Sequence, residues 1–195
     1  LQRELADPEL LEYTQVIIGE ADRLQGLLDR MLGPRTVPRM RPTNVHEVTD
    51  RVCRLVRAEA PQGVHLSCDY DPSIPDLEAD PDLLIQAFLN VARNAVQAVG
   101  EAGDVLIRTR IERQVTIGAR RHRLALRVDI SDSGPGVAPD ILDKIFYPLV
   151  SGNAGGTGLG LSIAQNLIHQ HGGLIQCRSV PGETVMTTWL PVVEN

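Results

Sequence analysis

Lysine is almost absent from this sequence, and its scarcity excludes two common kinds of phosphate-binding site. Lys144 is the only lysine among 19 basic residues. It does not follow a G-x-x-x-x-G pattern, so the chain has no P-loop. It also does not lie on a strand behind a glycine-rich loop, which excludes the arrangement of Ser/Thr/Tyr protein kinases. Any phosphate site in this chain must therefore use other groups.

Aromatic residues, clustered cysteines and long apolar runs are also lacking. Aromatic residues make up 3% of the 195 residues, so the core must consist mainly of Leu, Ile, Val and Ala. Cys53, Cys68 and Cys177 are far apart and form no C-x-x-C spacing. They indicate neither a disulfide framework nor a zinc site, and they favour a reducing cytoplasm. No stretch approaches the ~20 apolar residues that span a bilayer.

The net charge and the first residue of the chain give two further expectations, one about partners and one about the length of the whole protein. The net charge of −6 argues against nucleic acid as a principal or direct partner. The chain begins at Leu1 without a methionine, so we expect it to be part of a longer protein.

The first 42 residues differ in pattern from the rest. Asp7 and Pro8 open a helix whose broad apolar stripe continues to residue 32, and residues 1–6 read as the end of a preceding helix. We therefore predict that residues 1–32 belong to a helical hairpin. Three prolines and three arginines in "GPRTVPRMRP" predict a linker over residues 33–42.

Residues 43–195 alternate helices and strands. Thr43 or Asn44 caps one helix, and Asp80-Pro81 opens another that runs to about Val99. Two long alternating segments predict a hairpin whose turn contains Gly118. The order is helix, strand, helix, strand, strand, helix, strand, strand. This order favours an α/β two-layer sandwich with a mixed sheet over a doubly wound parallel sheet.

A cluster of glycines leads directly into an amphipathic helix predicted at about 158–171. Gly156, Gly158 and Gly160 can bring backbone N–H groups close to an anion, and the helix dipole adds its positive end. A dinucleotide fingerprint is disfavoured because the preceding "FYPLVSGNAG" is a poor strand. From this pattern alone, a flexible loop before an ordinary helix is the alternative.

Asp132 ends an apolar strand and is followed by Gly134 and Gly136 in "DISDSGPGV". A carboxylate at this position can accept a hydrogen bond from an exocyclic amine such as that of adenine, and the glycines leave space beside it. The alternative is a tight turn capped by the aspartate side chain.

Asn90 and Asn94 are four residues apart on the helix that Pro81 opens, so they share one face. Asparagine is unfavourable inside a helix, so two of them on one face indicate that this face makes polar contacts. Its side-chain oxygen suits Mg²⁺, an ion that usually keeps water and phosphate oxygens as further ligands. We therefore predict that asparagine-bound magnesium takes the role of the missing lysine.

Along the chain, the asparagine helix comes first, the Asp132 loop second and the glycine cluster third. These three stretches in this order resemble the ATP-binding domain of sensor histidine kinases, in the superfamily shared with gyrase, mismatch-repair and heat-shock ATPases. "NVARNAVQA" is similar to the asparagine box of that family and "DSGPG" to its first glycine box. "FYPLVS" is similar to the phenylalanine box, and "GGTGLGLSIAQNLIHQHGG" to the second glycine box. "DPELLEYTQVII" and the short "FYPLVSG" segment look most like the nitrogen-regulation kinases of the NtrB type.

The resemblance implies a Bergerat-type ATP-binding fold over residues 43–195. It also implies that residues 1–32 are part of the dimerisation and histidine-phosphotransfer hairpin. The segment from about Phe146 to Gly155 would be a lid over ATP.

The resemblance further implies roles for particular residues. Asn94 would be the Mg²⁺ ligand, with Asn90 as its polar neighbour near the phosphates. Asp132 would bind the adenine amino group, with Gly134 and Gly136 opening the pocket. The stretch that would offer backbone amides to the phosphates is Gly156, Thr157, Gly158, Leu159 and Gly160. Thr184 would join the network around Asp132 and adenine, although Val185 and Met186 stand where the family often has an aromatic residue.

The phosphoacceptor histidine of the family is missing from this chain. His46-Glu47 mimics its opening, but "HEVTDRV" lacks the Asn-Pro pair and lies beyond the linker. His169 and His171 are two residues apart and do not share a helix face, so we interpret them as helix-end residues. The chain is therefore expected to bind ATP, to contain no catalytic residue of its own, and not to phosphorylate itself.

The resemblance also implies partners. The parent protein would be a homodimer, would pass phosphate to the receiver domain of an NtrC-like response regulator, and would be switched by a PII-type signalling protein. Two alternatives stay open. One is an ATPase of the gyrase or chaperone branch, which has a glutamate where Asn90 stands here. The other is a degenerate nucleotide-sensing scaffold.

Overall fold

The computed structural model describes residues 37–150 and 157–192. The predicted helical hairpin, the first four residues of the predicted linker (33–36) and Gly156 lie outside these residues. The helices are α1 Val45–Glu59, α2 Pro81–Val99, α3 Pro139–Leu142 and α4 Gly160–Gln170. The strands are β1 Arg41–Thr43, β2 Gly63–Asp69, β3 Leu77–Ala79, β4 Ala102–Ile117, β5 Arg120–Asp132, β6 Leu174–Val180 and β7 Glu183–Pro191.

Five of the strands form one mixed sheet in the order β2-β4-β5-β7-β6. Strand β2 is parallel to β4, and the other neighbours are antiparallel. The long hairpin β4–β5 turns at Gly118, which has φ +60° as a tight turn requires. Helix α2 packs on β4 and β5, α4 packs on α2 and β6, and α1 packs on α2 and β2. The predicted α/β two-layer sandwich with a mixed sheet is therefore confirmed.

Local capping explains where the two long helices begin. The Asn44 side chain accepts a hydrogen bond of 2.8 Å from the His46 backbone N–H and caps α1. The Asp80 carboxylate accepts bonds from the backbone N–H groups of Asp82 and Leu83, at 3.1 and 3.3 Å, and caps α2. Both caps satisfy N–H groups that a helix start leaves unpaired. The predicted bounds of α2 are confirmed at both ends.

The core lies between the sheet and the helices and is aliphatic. Phe88 on α2 is the one aromatic residue among the largest fully buried side chains of the described residues. Around it are aliphatic residues of the helices and of the facing sheet surface, including Leu84, Val91, Val105, Ile107, Val128, Ile130, Ala164 and Leu167. The scarcity of aromatic residues in the sequence predicted this composition.

Three details differ from the sequence-based predictions. The end of the predicted linker forms strand β1, which pairs with β3 in a small antiparallel sheet. Each of these strands has three residues, too few for an alternating pattern to be recognised. The short helix expected over 139–145 ends at Leu142, and the helix expected from 158 begins at Gly160. Helix ends are the least certain part of a periodicity analysis.

None of the described helices is long and apolar enough to cross a membrane.

Candidate nucleotide-binding cleft

A cleft of about 530 Å³ opens between α2, the loop after β5 and the start of α4. This volume is within the range of pockets that hold small ligands. Its lining is Asn90, Arg93, Asn94, Gln97, Ala98, Pro135, Gly136, Val137, Ala138, Ile141, Ile145, Val150, Thr157, Gly158, Gly160, Leu161 and Met186. The tertiary structure therefore brings together three stretches that are far apart in the sequence.

Asn90 and Asn94 lie on the cleft side of α2, one helical turn apart, and both are half-buried. The face behind them is apolar and carries the buried residues Phe88, Val91 and Ala95. The amphipathic pattern of α2 thus turns the two amides toward the cleft while the aliphatic face packs in the core. The expected shared face of the two asparagines is what the structure has.

Asp132 and Thr184 are directly opposite each other on β5 and β7, at the ends of the two strands nearest the loop of Gly134 and Gly136. Asp132 is 6% exposed, and this burial raises the pKa of its carboxyl. The Gly134 backbone N–H donates to Asp132 Oδ1 at 3.0 Å and opposes that shift. Neither Asp132 nor Thr184 lines the open volume, whereas Met186, two residues along β7, does.

The hydroxyl of Thr184 has a partner that the sequence did not predict. Its Oγ1 lies 2.8 Å from Ser179 Oγ, and the Ser179 oxygen accepts a hydrogen bond of 2.8 Å from the Val137 backbone N–H. This chain ties the loop after β5 to the β6–β7 hairpin. Thr184 therefore supports the shape of the loop that carries Gly136.

Three glycines of the predicted motifs are required by close backbone approach. A Cβ at Gly134 would lie 2.8 Å from Asp132 Oδ1, and one at Gly136 would lie 2.9 Å from the Val180 oxygen. Gly158 has φ +64°, and a Cβ there would lie 2.6 Å from the Leu149 carbonyl carbon. A side chain at any of these three positions would therefore displace a neighbouring backbone segment or the Asp132 carboxylate.

The start of α4 borders the asparagine helix. A Cβ built at Gly160, the first residue of α4, would lie 3.9 Å from Asn90 Cβ, an ordinary contact. Leu159, just before it, is buried and anchors this end of the helix. Thr157 and Gly158 line the cleft here. The positive end of the α4 dipole therefore lies beside the Asn90 side of the cleft.

The segment with the phenylalanine-box pattern joins the cleft through its backbone. The Leu149 N–H donates to the Gly158 carbonyl oxygen at 2.9 Å, and Leu149 itself has φ +66°. Tyr147 and Leu149 are exposed, whereas Ile145 is buried and lines the cleft. Of the segment expected to form a lid, only residues 146–150 are described.

Arg93 is a cleft residue that the motif analysis missed. Among the lining residues that the structure describes, it is the only one with a charged side chain. Glu59, at the end of α1, accepts from Arg93 Nε at 2.8 Å and from its Nη2 at 2.6 Å. The pair lowers the pKa of Glu59 and raises that of Arg93 because each charge stabilises the other. The available signal was its position directly before Asn94.

The histidines have other environments. His171 is buried; its Nε2 accepts from the Asp80 N–H at 3.0 Å and its Nδ1 donates to the Leu167 carbonyl at 2.7 Å. His46 stacks on Tyr70 with ring centroids 5.0 Å apart. His169 is exposed. None of the three lines the described cleft.

The described residues contain no group of three or more His, Cys, Asp or Glu side chains that could hold a metal ion. A magnesium ion in the cleft would therefore rely on asparagine amide oxygens together with ligands from water or from a bound phosphate.

Comparison with known proteins relates the cleft to one family. The model of that family, described as histidine kinase-, DNA gyrase B-, and HSP90-like ATPase, matches residues 79–194. The sensory histidine kinase/phosphatase NtrB of Escherichia coli O157:H7 is 53% identical over 194 residues, covering 98% of this chain and 55% of that protein. The NtrB of Salmonella typhimurium is 52% identical with the same coverage. The chain thus spans about half the length of these relatives.

Solved structures are similar over nearly the whole chain. Full-length ShkA in complex with AMPPNP aligns with a TM-score of 0.70 and 26% identity, over 97% of this chain and 40% of that one. The histidine kinase ThkA in complex with the response regulator protein TrrA aligns with a TM-score of 0.68 and 25% identity, over 98% of this chain and 54% of that one.

Proposed function

This chain belongs to the family of histidine kinase-, DNA gyrase B- and HSP90-like ATPases, and on that premise we propose that it is the ATP-binding catalytic portion of a sensor histidine kinase of nitrogen regulation. One observation carries the proposal. A single cleft contains both asparagines of α2, the glycine loop after Asp132 and the glycine-rich start of α4. Taken singly, the glycine stretches can be interpreted as an ordinary loop or a tight turn. Neither interpretation explains why all three stretches line the same cleft.

The adenine end of ATP would lie at the loop of Gly134 and Gly136. The Asp132 carboxylate, buried and with Oδ2 available beside the Gly134 contact at Oδ1, would accept the hydrogen bond of the adenine amino group. Burial makes that bond stronger than it would be in water and discriminates against bases that present an acceptor there. Thr184 would assist from the neighbouring strand.

The phosphate end would lie between α2 and the start of α4. Backbone N–H groups of residues 156–160 would point at phosphate oxygens, helped by the α4 dipole. Asn94 would bind Mg²⁺ and Asn90 would lie beside it. The amide oxygens of this face fit a hard cation that keeps several phosphate and water ligands. Bound magnesium would neutralise charge on the phosphates during transfer.

Arg93 would add a fixed positive charge at the rim of this end. Its guanidinium has five N–H donors, and Glu59 accepts from two of its nitrogens. The remaining donors leave capacity for a phosphate oxygen without breaking the ion pair.

The γ-phosphoryl group would pass to a histidine of the phosphotransfer hairpin, and from there to an aspartate of an NtrC-like response regulator. Catalysis would consist largely of positioning and charge neutralisation by groups of the cleft. We further propose that residues 1–32 belong to that hairpin, that the parent protein is a cytoplasmic homodimer, and that a PII-type protein regulates it. The solved complex of ThkA with TrrA supports a response regulator as the partner class.

Transfer in trans tests this function. The purified chain is mixed with γ-labelled ATP, magnesium and a separate hairpin segment of an NtrB relative that contains the phosphoacceptor histidine. We expect acid-labile, base-stable phosphate on the hairpin segment only, and none on this chain alone. Rapid release of free phosphate without labelling of the segment would instead indicate an ATPase of the gyrase or chaperone branch. ATP binding without either reaction would indicate a nucleotide-sensing scaffold.

A further inference from the structure

Two cysteines that the sequence separates by 15 positions meet at one edge of the sheet. Cys53 lies on α1 and Cys68 on β2, and their sulfur atoms are 2.7 Å apart. Both thiols are free. Neither residue lines the described nucleotide cleft. The function proposed above does not use this pair.

The positions of the two cysteines in the fold explain why their sulfur atoms are in contact. Cys53 is on the buried face of α1, beside Val52 and Val56. Cys68 is paired in parallel register with Ile107, whose side chain is in the core, so both side chains are on the sheet face that the helices cover. Because β2 is an edge strand, Cys68 is nevertheless exposed to solvent. One thiol of the pair is therefore buried and the other is accessible.

We propose that Cys53 and Cys68 form a reversible dithiol–disulfide site that a hydroperoxide oxidises. A disulfide bond is about 2.05 Å long, so the sulfur atoms must approach by well under 1 Å. The fold brings the two sulfurs together in the reduced chain, so we expect bond formation to need mainly rotation of the two side chains.

The chemistry has a defined order because the two thiols differ in access. Cys68, as thiolate, attacks one oxygen of the peroxide; the O–O bond breaks, the other oxygen leaves as water, and Cys68 becomes a sulfenic acid. The Cys53 sulfur then attacks the Cys68 sulfur, the S–O bond breaks and a second water leaves. Two thiols and one hydrogen peroxide thus become one disulfide and two waters.

The environment of Cys53 favours Cys68 as the thiol that the peroxide oxidises first. Burial, and after it the hydrogen bond with Cys68, raises the pKa of the Cys53 thiol to about 12, so Cys53 is the less reactive thiol toward peroxide. Cys53 loses its proton only as it attacks the Cys68 sulfur in the second step. The Tyr70 hydroxyl, 3.6 Å from Cys53 Sγ, can donate a hydrogen bond to the thiolate that forms.

The third cysteine cannot compete within the folded chain. Cys177 lies on β6, which is the opposite edge of the five-stranded sheet from β2. Four strand spacings separate these edges, about 19 Å at ~4.8 Å per spacing. Disulfides require Cα atoms within ~7 Å. The native fold therefore allows one pairing, whereas the unfolded chain allows three.

The disulfide would fasten α1 to the edge strand. At present the Arg57 guanidinium, donating to the Leu66 carbonyl at 3.1 Å, is a polar link between them. Closing a loop of about 15 residues restricts the unfolded chain and raises the melting temperature, by on the order of 10 °C for a domain of this size.

The test counts thiols in the full chain. Reduced protein is treated with a small excess of hydrogen peroxide, unfolded and alkylated, and its mass is measured by mass spectrometry. The variants Cys53→Ser, Cys68→Ser and Cys177→Ser are treated in the same way. We expect the wild type to fall from three alkylated thiols to one and Cys177→Ser from two to none, with dithiothreitol reversing both. A peptide map should show Cys53 joined to Cys68. The melting temperature should rise on oxidation in the wild type and in Cys177→Ser, but in neither of the other two variants.

Two controls make the result specific to the fold. Oxidation in concentrated urea should lose the selectivity and give mixed pairings that include Cys177. The Cys53→Ser variant should collect sulfenic or sulfinic acid on Cys68 without a cross-link. The proposal is overturned if the folded wild type keeps three thiols, if Cys68 is oxidised without joining Cys53, or if Cys177 pairs with either. Thiol counts and melting temperatures are measured without nucleotide. They therefore test the disulfide even if the proposed ATP-binding function is wrong.

Discussion

The Glu59 carboxylate at the end of α1 holds the Arg93 guanidinium at the rim of the nucleotide cleft through two hydrogen bonds of 2.8 and 2.6 Å. Both side chains are about half exposed, at 48% and 47%. An ion pair this exposed contributes about 1 kcal/mol or less to stability. Its consequence is orientation: Glu59 fixes the direction of the one charged side chain among the described lining residues of the cleft.

Arg93→Gln should weaken the binding of ATP by roughly ten- to hundredfold. The substitution removes a charge-assisted contact with phosphate, worth roughly 1.5–3 kcal/mol, and each 1.4 kcal/mol corresponds to a factor of ten. Calorimetric titration with ATP, ADP and adenosine measures where the loss occurs, and we expect adenosine to bind equally to wild type and variant. Arg121→Gln, on the exposed hairpin, is the matched control. An equal loss for all three ligands would show that Arg93 acts on the fold instead.

Glu59→Gln should reduce ATP affinity in the same direction but by a smaller factor, about two- to threefold. The arginine keeps its charge and loses only its fixed orientation, so the effect comes from the entropy of one side chain. The Kd values of wild type and Glu59→Gln for ATP, measured at two salt concentrations, check this difference in affinity. If Glu59 instead competed with phosphate for the arginine, the variant would bind ATP more tightly than the wild type.

Asp132→Asn should abolish most ATP binding while leaving the fold intact. The amide has one acceptor oxygen where the carboxylate has two. When that oxygen accepts from the Gly134 N–H, the amide NH2 faces the adenine amino group, and two donors cannot bond to each other. Titration of ATP, which we expect to bind the wild type in the micromolar range at about −6 to −8 kcal/mol, measures the loss. Asp76→Asn, an exposed carboxylate, is the control. Unchanged affinity in Asp132→Asn would remove the adenine end of the proposed site.

The same variant makes a prediction about pH. Because burial raises the pKa of Asp132, the folded chain holds this proton more tightly than the unfolded chain. Stability from this group is therefore fully present below the unfolded pKa and is lost as pH rises through the higher folded pKa. Urea unfolding at several pH values should show wild type losing stability relative to Asp132→Asn across that window. A difference independent of pH would contradict this assignment.

Asn94→Ala should erase the magnesium dependence of ATP binding. The wild type is expected to bind ATP more tightly with Mg²⁺ than with a chelator, because the Asn94 amide oxygen would hold the ion against the phosphates. Paired titrations with and without Mg²⁺ give the ratio of Kd values for each protein. A ratio in Asn94→Ala equal to that of the wild type would assign the metal ligand elsewhere.

Gly158→Ala and Gly118→Ala separate backbone strain from crowding. Both glycines have φ near +60°, but a Cβ at Gly118 meets nothing within 4 Å, whereas one at Gly158 meets the Leu149 backbone at 2.6 Å. We expect Gly118→Ala to cost about 1–2 kcal/mol of stability and to leave ATP affinity unchanged. Gly158→Ala should displace residues 149–150 and weaken ATP binding severalfold. Equal ATP affinity in the two variants would show that the Leu149–Gly158 contact does not shape the cleft.

Much of the fold followed from short stretches of the chain. Asp80 and Pro81 predicted the start of α2 correctly, because such signals involve only neighbouring residues. Gly118 predicted the turn of the long hairpin for the same reason. The three-residue strands β1 and β3 were missed, because each is stabilised mainly by pairing with the other across 36 positions, as Thr43 and Ala79 show.

The sequence by itself determined which residue types the candidate site contains: the asparagines of α2, the aspartate at the end of β5 and the glycines that a phosphate loop needs. Only the tertiary structure decided what stands beside them. It placed Glu59 against Arg93, Ser179 against Val137 and Thr184, and Cys53 against Cys68. Each of these contacts depends on how a helix or loop packs against a different part of the sheet or another helix, and no local periodicity encodes that packing.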